Sequence, residues 1–194
     1  MFFLTPSFDL HLFVLINQHL RCGLFDGIMP ILSSMTVLII ILAIILAFLA
    51  VWGGKKNVLL FLILIAAVGV SDFSTNLVKK QVNRVRPYNS IAETHYREDG
   101  EWRQRAPEFS RTKITGRSYP SAHAANTMCL ALLTIVFWPA VKKWPLLLPA
   151  AVGYSRIYLG KHYPTDILAG WLMGAIVAVS VWLIWRALSQ RVRL

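Results

Sequence analysis

TVLIIILAIILAFLAVW, Thr36–Trp52, carries no charged side chain over 17 residues. With its flanks it matches the about 20 helical residues that cross a hydrocarbon core, where backbone polar groups find partners only inside a helix or a closed barrel. Working outward, NVLLFLILIAAVGVSDFSTNLV (Asn57–Val78) carries only Asp72, and WLMGAIVAVSVWLIW (Trp171–Trp185) carries no charge. The whole chain agrees: 56% of its 194 residues are hydrophobic, 15% are charged, and the mean hydropathy is +0.56. One soluble core of this length does not hide so much apolar surface. Two further windows, Ser121–Ala140 and Trp144–Gly160, are apolar over most of their length. The expectation is an all-α membrane bundle of about five spanning helices, a single domain over 1–194.

Residues 1–35 read differently. SFDLHLFVLINQHL mixes Asp9, His11, Asn17, Gln18 and His19 among leucines, a pattern that suits an amphipathic helix lying in the interface. It lacks the basic start and small-residue cleavage site of a secretory signal. Cys22 and Cys129 form no metal or disulfide pattern and read as two small buried hydrophobes. His11, His19 and His95 read as interfacial or loop residues, and tryptophans near span ends as interface anchors.

Basic residues orient the bundle. Lys55–Lys56, Lys142–Lys143 and the tail with Arg186, Arg191 and Arg193 fall on one side after five crossings, expected to be the cytoplasm. The loop 80–118 then faces the other way. With Lys79 it holds ten of the chain's 20 Lys and Arg, against the usual bias, and anion binding explains the excess.

Three polar clusters meet at that face. Asp72, Asn76, Lys79, Asn83 and Arg86, spaced by four, three, four and three, fall on one helical stripe, and Pro87 is expected to end that helix at Arg86. SYPSAHAAN opens the next span, with Pro120 in its first turn and Ser118 or Tyr119 near the cap. The free amides of such a turn attract an anion, and Ser121 and His123 stand beside them. SRIYLGKHYPTD (Ser155–Asp166) places Arg156 six residues before His162, and Asp166 four after it. A carboxylate at that spacing can hold one ring nitrogen, sharpening the imidazole as nucleophile or base. Lys79, Arg86 and Arg156 exceed what Asp166 alone neutralises, so the expected partner is a multiply charged anion, and phosphate fits the arginine forks.

KKQVNRVRP (Lys79–Pro87), PSAH (Pro120–His123) and SRIYLGKHYPTD resemble, in order and spacing, the K-x6-RP, PSGH and SR-x5-H-x3-D motifs of the type 2 phosphatidic acid phosphatases. That family is shared with glucose-6-phosphatase and the vanadium haloperoxidases. Ala122 stands where the family usually has glycine and keeps the backbone amide that the role needs. The resemblance implies that His162 attacks phosphorus and Asp166 orients it. It implies that His123 acts as acid and then base. Lys79, Arg86, Arg156, Ser121 and the Ala122 amide would cradle the phosphoryl group. No metal or cofactor is implied.

The partners expected are the bilayer and a phosphate-bearing membrane lipid, not nucleic acid. Undecaprenyl diphosphate is favoured, ahead of phosphatidylglycerophosphate and lipid A 1-phosphate. The site is expected at the extracytoplasmic face of a bacterial inner membrane. Arg84, Arg97, Arg103, Arg105, Arg111, Lys113 and Arg117 could rim the pocket, though a solvated loop balanced by its own acids explains most of them. Two other classes fit less well. A vanadate-dependent haloperoxidase would be soluble, and a silent lipid binder should have lost His123, His162 or Asp166.

Overall fold

Ser34 starts the first long helix, α3 (Met35–Phe48), by accepting the Val37 amide on its Oγ, an N-cap arrangement. A π-helical turn, Leu49–Gly53, prolongs it. Gly54 then takes φ 74°, which glycine adopts without strain, and the chain turns into α4 (Gly54–Val82). No residue of α3 is buried. Ile39, Ile44 and Trp52 are 60%, 63% and 72% exposed, a continuous apolar surface of the kind lipid covers. The computed structural model describes residues 5–192, so Arg193 lies outside the described residues.

Two helical runs, Met35–Asn89 and Pro164–Gln190, are long and apolar enough to cross a membrane. The first joins α3 and α4, and the second lies in α7 (Pro164–Val192). The third and fourth expected spans appear as α5 (Ala122–Phe137) and α6 (Leu147–Tyr158). They have 16 and 12 residues, shorter than expected, because Pro139 and Pro145 turn the connection into two 3-10 segments. The helix start also differs from expectation: Ser121, not Ser118 or Tyr119, is the N-cap of α5.

α4 ends four residues before Arg86. Asn83 adopts a left-handed conformation, φ 55°, and its amide reaches back to the Lys79 carbonyl. Asp72, Asn76 and Lys79 keep their common stripe, while Asn83 turns outward and Arg86 continues as extended chain. The loop 80–118 is not purely irregular. Within it β1 (His95–Glu98) and β2 (Glu101–Gln104) pair antiparallel around Asp99–Gly100, both at positive φ, the Asp-Gly turn that hairpin twist favours.

The N-terminal segment forms two short helices, α1 (Ser7–Val14) and α2 (Gly23–Leu32). Phe8, Leu12 and Leu24 face outward, whereas Asp9, Phe13 and Asn17 are fully buried. The face that carries Asp9, Phe13 and Asn17 is therefore turned into the protein, while His11 and His19 stay exposed. Cys129 is buried as expected, but Cys22 is exposed at the start of α2.

α5 and α7 approach backbone to backbone. A methyl on Gly170 would stand 2.4 Å from the Ser121 carbonyl oxygen, and one on Gly174 only 2.1 Å from that of Ala125. These two glycines, four apart, let backbones touch as small residues do between membrane helices.

Candidate active site

Asp166, in the first turn of α7, is wholly buried. Its Oδ2 accepts from the Ser118 hydroxyl and, at 2.9 Å, from the Tyr163 amide, and it lies 3.4 Å from His162 Nδ1. Its Oδ1 accepts Arg84 Nη1 at 2.7 Å. With Nδ1 turned to the carboxylate, Nε2 is the ring atom that keeps a lone pair. Burial, and then the charge of Arg156, hold the His162 pKa down near 4, with Asp166 pulling the other way. The imidazole is therefore neutral near pH 7.

The PSAH turn is tied to the same carboxylate residue through its backbone: the Ser121 amide donates to the Asp166 carbonyl at 2.9 Å. Ser121 Oγ caps the Ala124 amide. The Ala122 and His123 amides, in the helix's first turn, have no acceptor within it. Behind them Asp72 accepts from Asn76 at 2.9 Å and Asn126 at 3.1 Å, a polar patch between α4 and α5.

The cations gather in front. Lys79, Arg86 and Arg156 act on one another's charge and on His123, and the two arginines also act on His162. Arg156 Nη1 donates to Ser33 Oγ at 2.6 Å, but its Nε is buried with no partner. Among the described residues no carboxylate pairs with Lys79, Arg86 or Arg156. Asp166 is engaged by Arg84 and Asp72 by two asparagines. Lys161, whose pKa burial and then Arg156 lower to about 8, adds a further charge at the edge. Buried cationic donors without acceptors are costly alone and are satisfied by an anion of several oxygens.

The PAP2 superfamily model matches residues 59–190, well over half of the chain. The chain belongs to the PAP2 superfamily. Undecaprenyl-diphosphatase of Sulfolobus acidocaldarius is 29% identical over 179 residues, 89% of this chain and 76% of that protein. Phosphatidylglycerophosphatase B of Escherichia coli K12 is 29% identical over 157 residues, 66% of this chain and 62% of that protein. Among solved structures, Aquifex aeolicus LpxE superposes with a TM-score of 0.69 at 24% identity, covering 94% of this chain and 99% of that one. The transmembrane PAP2 type phosphatidylglycerolphosphate phosphatase of Bacillus subtilis superposes at 0.66 with 20% identity, over 93% and 86% of the two chains. The chain is thus a PAP2 lipid phosphatase, a hydrolase, and its apolar helices and these relatives mark it as a membrane protein.

Within this PAP2 fold the eight residues singled out from the three motifs all come to one place. Arg84 is different: the sequence placed it in the loop rim, and it is 3% exposed. Its Nη2 pairs with Asp9, its Nη1 bonds Thr165 Oγ1 and Asp166 at 2.7 Å each, and its guanidinium stacks 3.9 Å from the Tyr163 ring. Asp9 also takes the Thr165 amide at 2.9 Å and hydroxyl at 2.7 Å. Ser118, Asp9 and Thr165 had no motif to announce them. The one usable signal was Asp9 itself, an acid in an apolar stretch. Of the other rim residues, Arg97 donates to Gly100, Arg103 pairs with Glu98, Arg105 donates to Tyr88, and Arg111 donates to Lys113 and Ile114. These serve the loop itself.

Proposed function

We propose that this phosphatase converts undecaprenyl diphosphate to undecaprenyl phosphate without a metal, through a phosphohistidine on His162. The observation that carries the substrate reading is an apolar groove that begins at His123. Its upper part, ≈ 230 Å³, lies between α3 and the α5–α6 pair and is lined by Ser33, Leu38 and Val152 beside His123. It continues into a second part of ≈ 350 Å³ reaching Leu49 and Trp138, the two sharing Leu38, Ile41 and Leu148. From Met35 to Leu49 this path follows about 21 Å of helix. A single long hydrocarbon chain fits such a slot with its diphosphate at the cations.

In the reaction His162 Nε2 bonds to the terminal phosphorus as the bond to the bridging oxygen breaks. His123 gives that oxygen its proton, then takes one from water. The water oxygen bonds to phosphorus, the P–N bond breaks, and inorganic phosphate leaves. Lys79, Arg86 and Arg156, with the Ser121 hydroxyl and the Ala122 and His123 amides, stabilise the charge on the phosphoryl oxygens. Asp166 keeps His162 in the reactive tautomer. Lys55, Lys56 and Arg186 stand at the far end of the bundle. By the preference of such residues for the cytoplasm, the site opens at the extracytoplasmic face of the cytoplasmic membrane of a bacterium, with five crossings.

The test is phosphate release in detergent with excess EDTA, from undecaprenyl diphosphate, phosphatidylglycerophosphate and lipid A. EDTA-resistant release is expected, fastest from the prenyl lipid, and lower by roughly 10³-fold or more in His162→Ala. Faster release from phosphatidylglycerophosphate would transfer the substrate to that glycerolipid. Equal release by the variant would remove His162 as nucleophile, and no release from any lipid would favour a silent binder.

A further inference from the structure

Opposite the phosphatase site, a second cationic cavity lies between the start of α4 and the ends of α5 and α7. It measures ≈ 610 Å³ and is lined by Lys55, Lys56, Trp182, Trp185, Arg186 and Ser189, among others. Lys55 and Lys79 stand 24 residues apart on α4, about 36 Å along the axis. No one ligand headgroup reaches both. The cavity has three cations and no acid in its wall, and among the described residues none of the three is in an ion pair. Nor could a neighbouring turn supply one: α4 up to Ser71, all of α5, and α7 beyond Asp166 contain no Asp or Glu.

The cavity does not end in solvent on every side. Val136 and Trp182 also line an apolar groove of ≈ 240 Å³ with Leu132, Ala178 and Val179, running along α5 and α7 toward mid-bundle. Arg186 lies 5.8 Å from the Trp182 ring, at the junction of the charged and apolar parts. A charged bowl opening into a hydrocarbon slot, rimmed by tryptophans, has the shape of one amphiphile: an anionic head with an acyl tail.

We propose that this cavity binds an anionic glycerophospholipid of the bilayer, headgroup phosphate on Lys55, Lys56 and Arg186 and one acyl chain along Leu132, Val136 and Val179. It is a lipid site separate from the phosphatase centre. Bound there, the lipid joins the ends of α4, α5 and α7, which carry Lys79, His123 and Asp166 at their other ends.

Native mass spectrometry of the detergent-purified full chain tests this, with dioleoylphosphatidylglycerol, dioleoylphosphatidylcholine and inorganic phosphate as probes. The variants are Lys55→Gln/Lys56→Gln/Arg186→Gln and, to fill the groove, Val179→Trp. Phosphatidylglycerol retention is expected to exceed that of phosphatidylcholine and to fall roughly 10²-fold in the triple variant. Phosphate release measured in detergent alone should stay unchanged, which reports a folded protein with its catalytic site intact. Val179→Trp should also lose the lipid while keeping its charges, and inorganic phosphate should not compete at equal concentration. Should the triple variant fail to fold, wild-type retention still decides, since it must drop between about 0.05 and 0.5 M salt. Equal retention of both lipids, salt-independent retention, or a folded triple variant that keeps phosphatidylglycerol would overturn the proposal.

Discussion

Asp166 serves two cationic or potentially cationic groups at once, Arg84 on one oxygen and the His162 ring on the other. Arg84 in turn lies between Asp166 and Asp9, both fully buried. Removing a buried arginine here leaves two carboxylates facing each other without a charge between them. Arg84→Ala should therefore cost about 3–5 kcal/mol of stability, read by thermal unfolding in detergent. Arg84→Lys keeps the charge but not the fork that reaches both acids. It should fold, with kcat reduced and KM nearly unchanged. For His162 the pH dependence has a definite sign. Its folded pKa, near 4, lies below the ordinary value of 6.5. The unfolded chain thus takes up a proton from about pH 6.5 downward while the folded protein does not until about pH 4. Stability present above pH 6.5 is lost as the pH falls across that window. His162→Asn should lack this share of the loss when melting curves are compared between pH 7 and 4.

Between elements, the geometry of the proposed catalytic site depends on how close α5 and α7 approach. His123 and the PSAH amides ride on α5, Asp166 on α7, and Gly170 and Gly174 allow the contact. A leucine at Gly174 would push its Cβ into the Ala125 carbonyl, so backbone must move. Gly174→Leu is expected to cost about 1–3 kcal/mol and to lower phosphate release far more than that loss of folded protein explains. Gly69 on α4 has open space where its Cβ would be. Gly69→Ala is the control and should leave release unchanged without lowering the melting temperature, since alanine replaces glycine in a helix interior without a clash.

Over the whole molecule, the N-terminal segment acts as a strap that ties the residues around the site to one another. Asp9 holds Arg84 and Thr165, while Asn17 donates to the His95 and Tyr158 carbonyls and accepts the His95 amide. Arg21 stacks on Trp102 and Tyr158 and pairs with Asp26. Hairpin, α6 and the α6–α7 junction are thereby joined through residues distant in sequence. Removing residues 1–20 should abolish phosphate release although no motif residue is deleted. The same truncation should expose the 95–104 hairpin to protease, which limited proteolysis would show. Asn17→Ala should give part of both effects.

Local chemistry explains which features were legible along the chain. Apolar runs without charge specify helices in lipid, and residues three or four apart share a helix face. Asp72, Asn76 and Lys79 were therefore readable as one stripe, and His162 with Asp166 as a pair. The motif spacings carried the family and its phosphoryl chemistry for a related reason: each is one short stretch of chain, at the end of α4, at the start of α5 and across the α6–α7 junction. Asn83 and Arg86 escaped that logic because one left-handed residue ended the helix early. The role of Arg84, the inward turn of Asp9 and Asn17, and the α5–α7 contact were decided only in three dimensions. Those interactions link positions 45 to 156 residues apart, where sequence distance carries no record of who faces whom. Burial then fixes the partners, since a charge or amide removed from water must find its complement inside the protein.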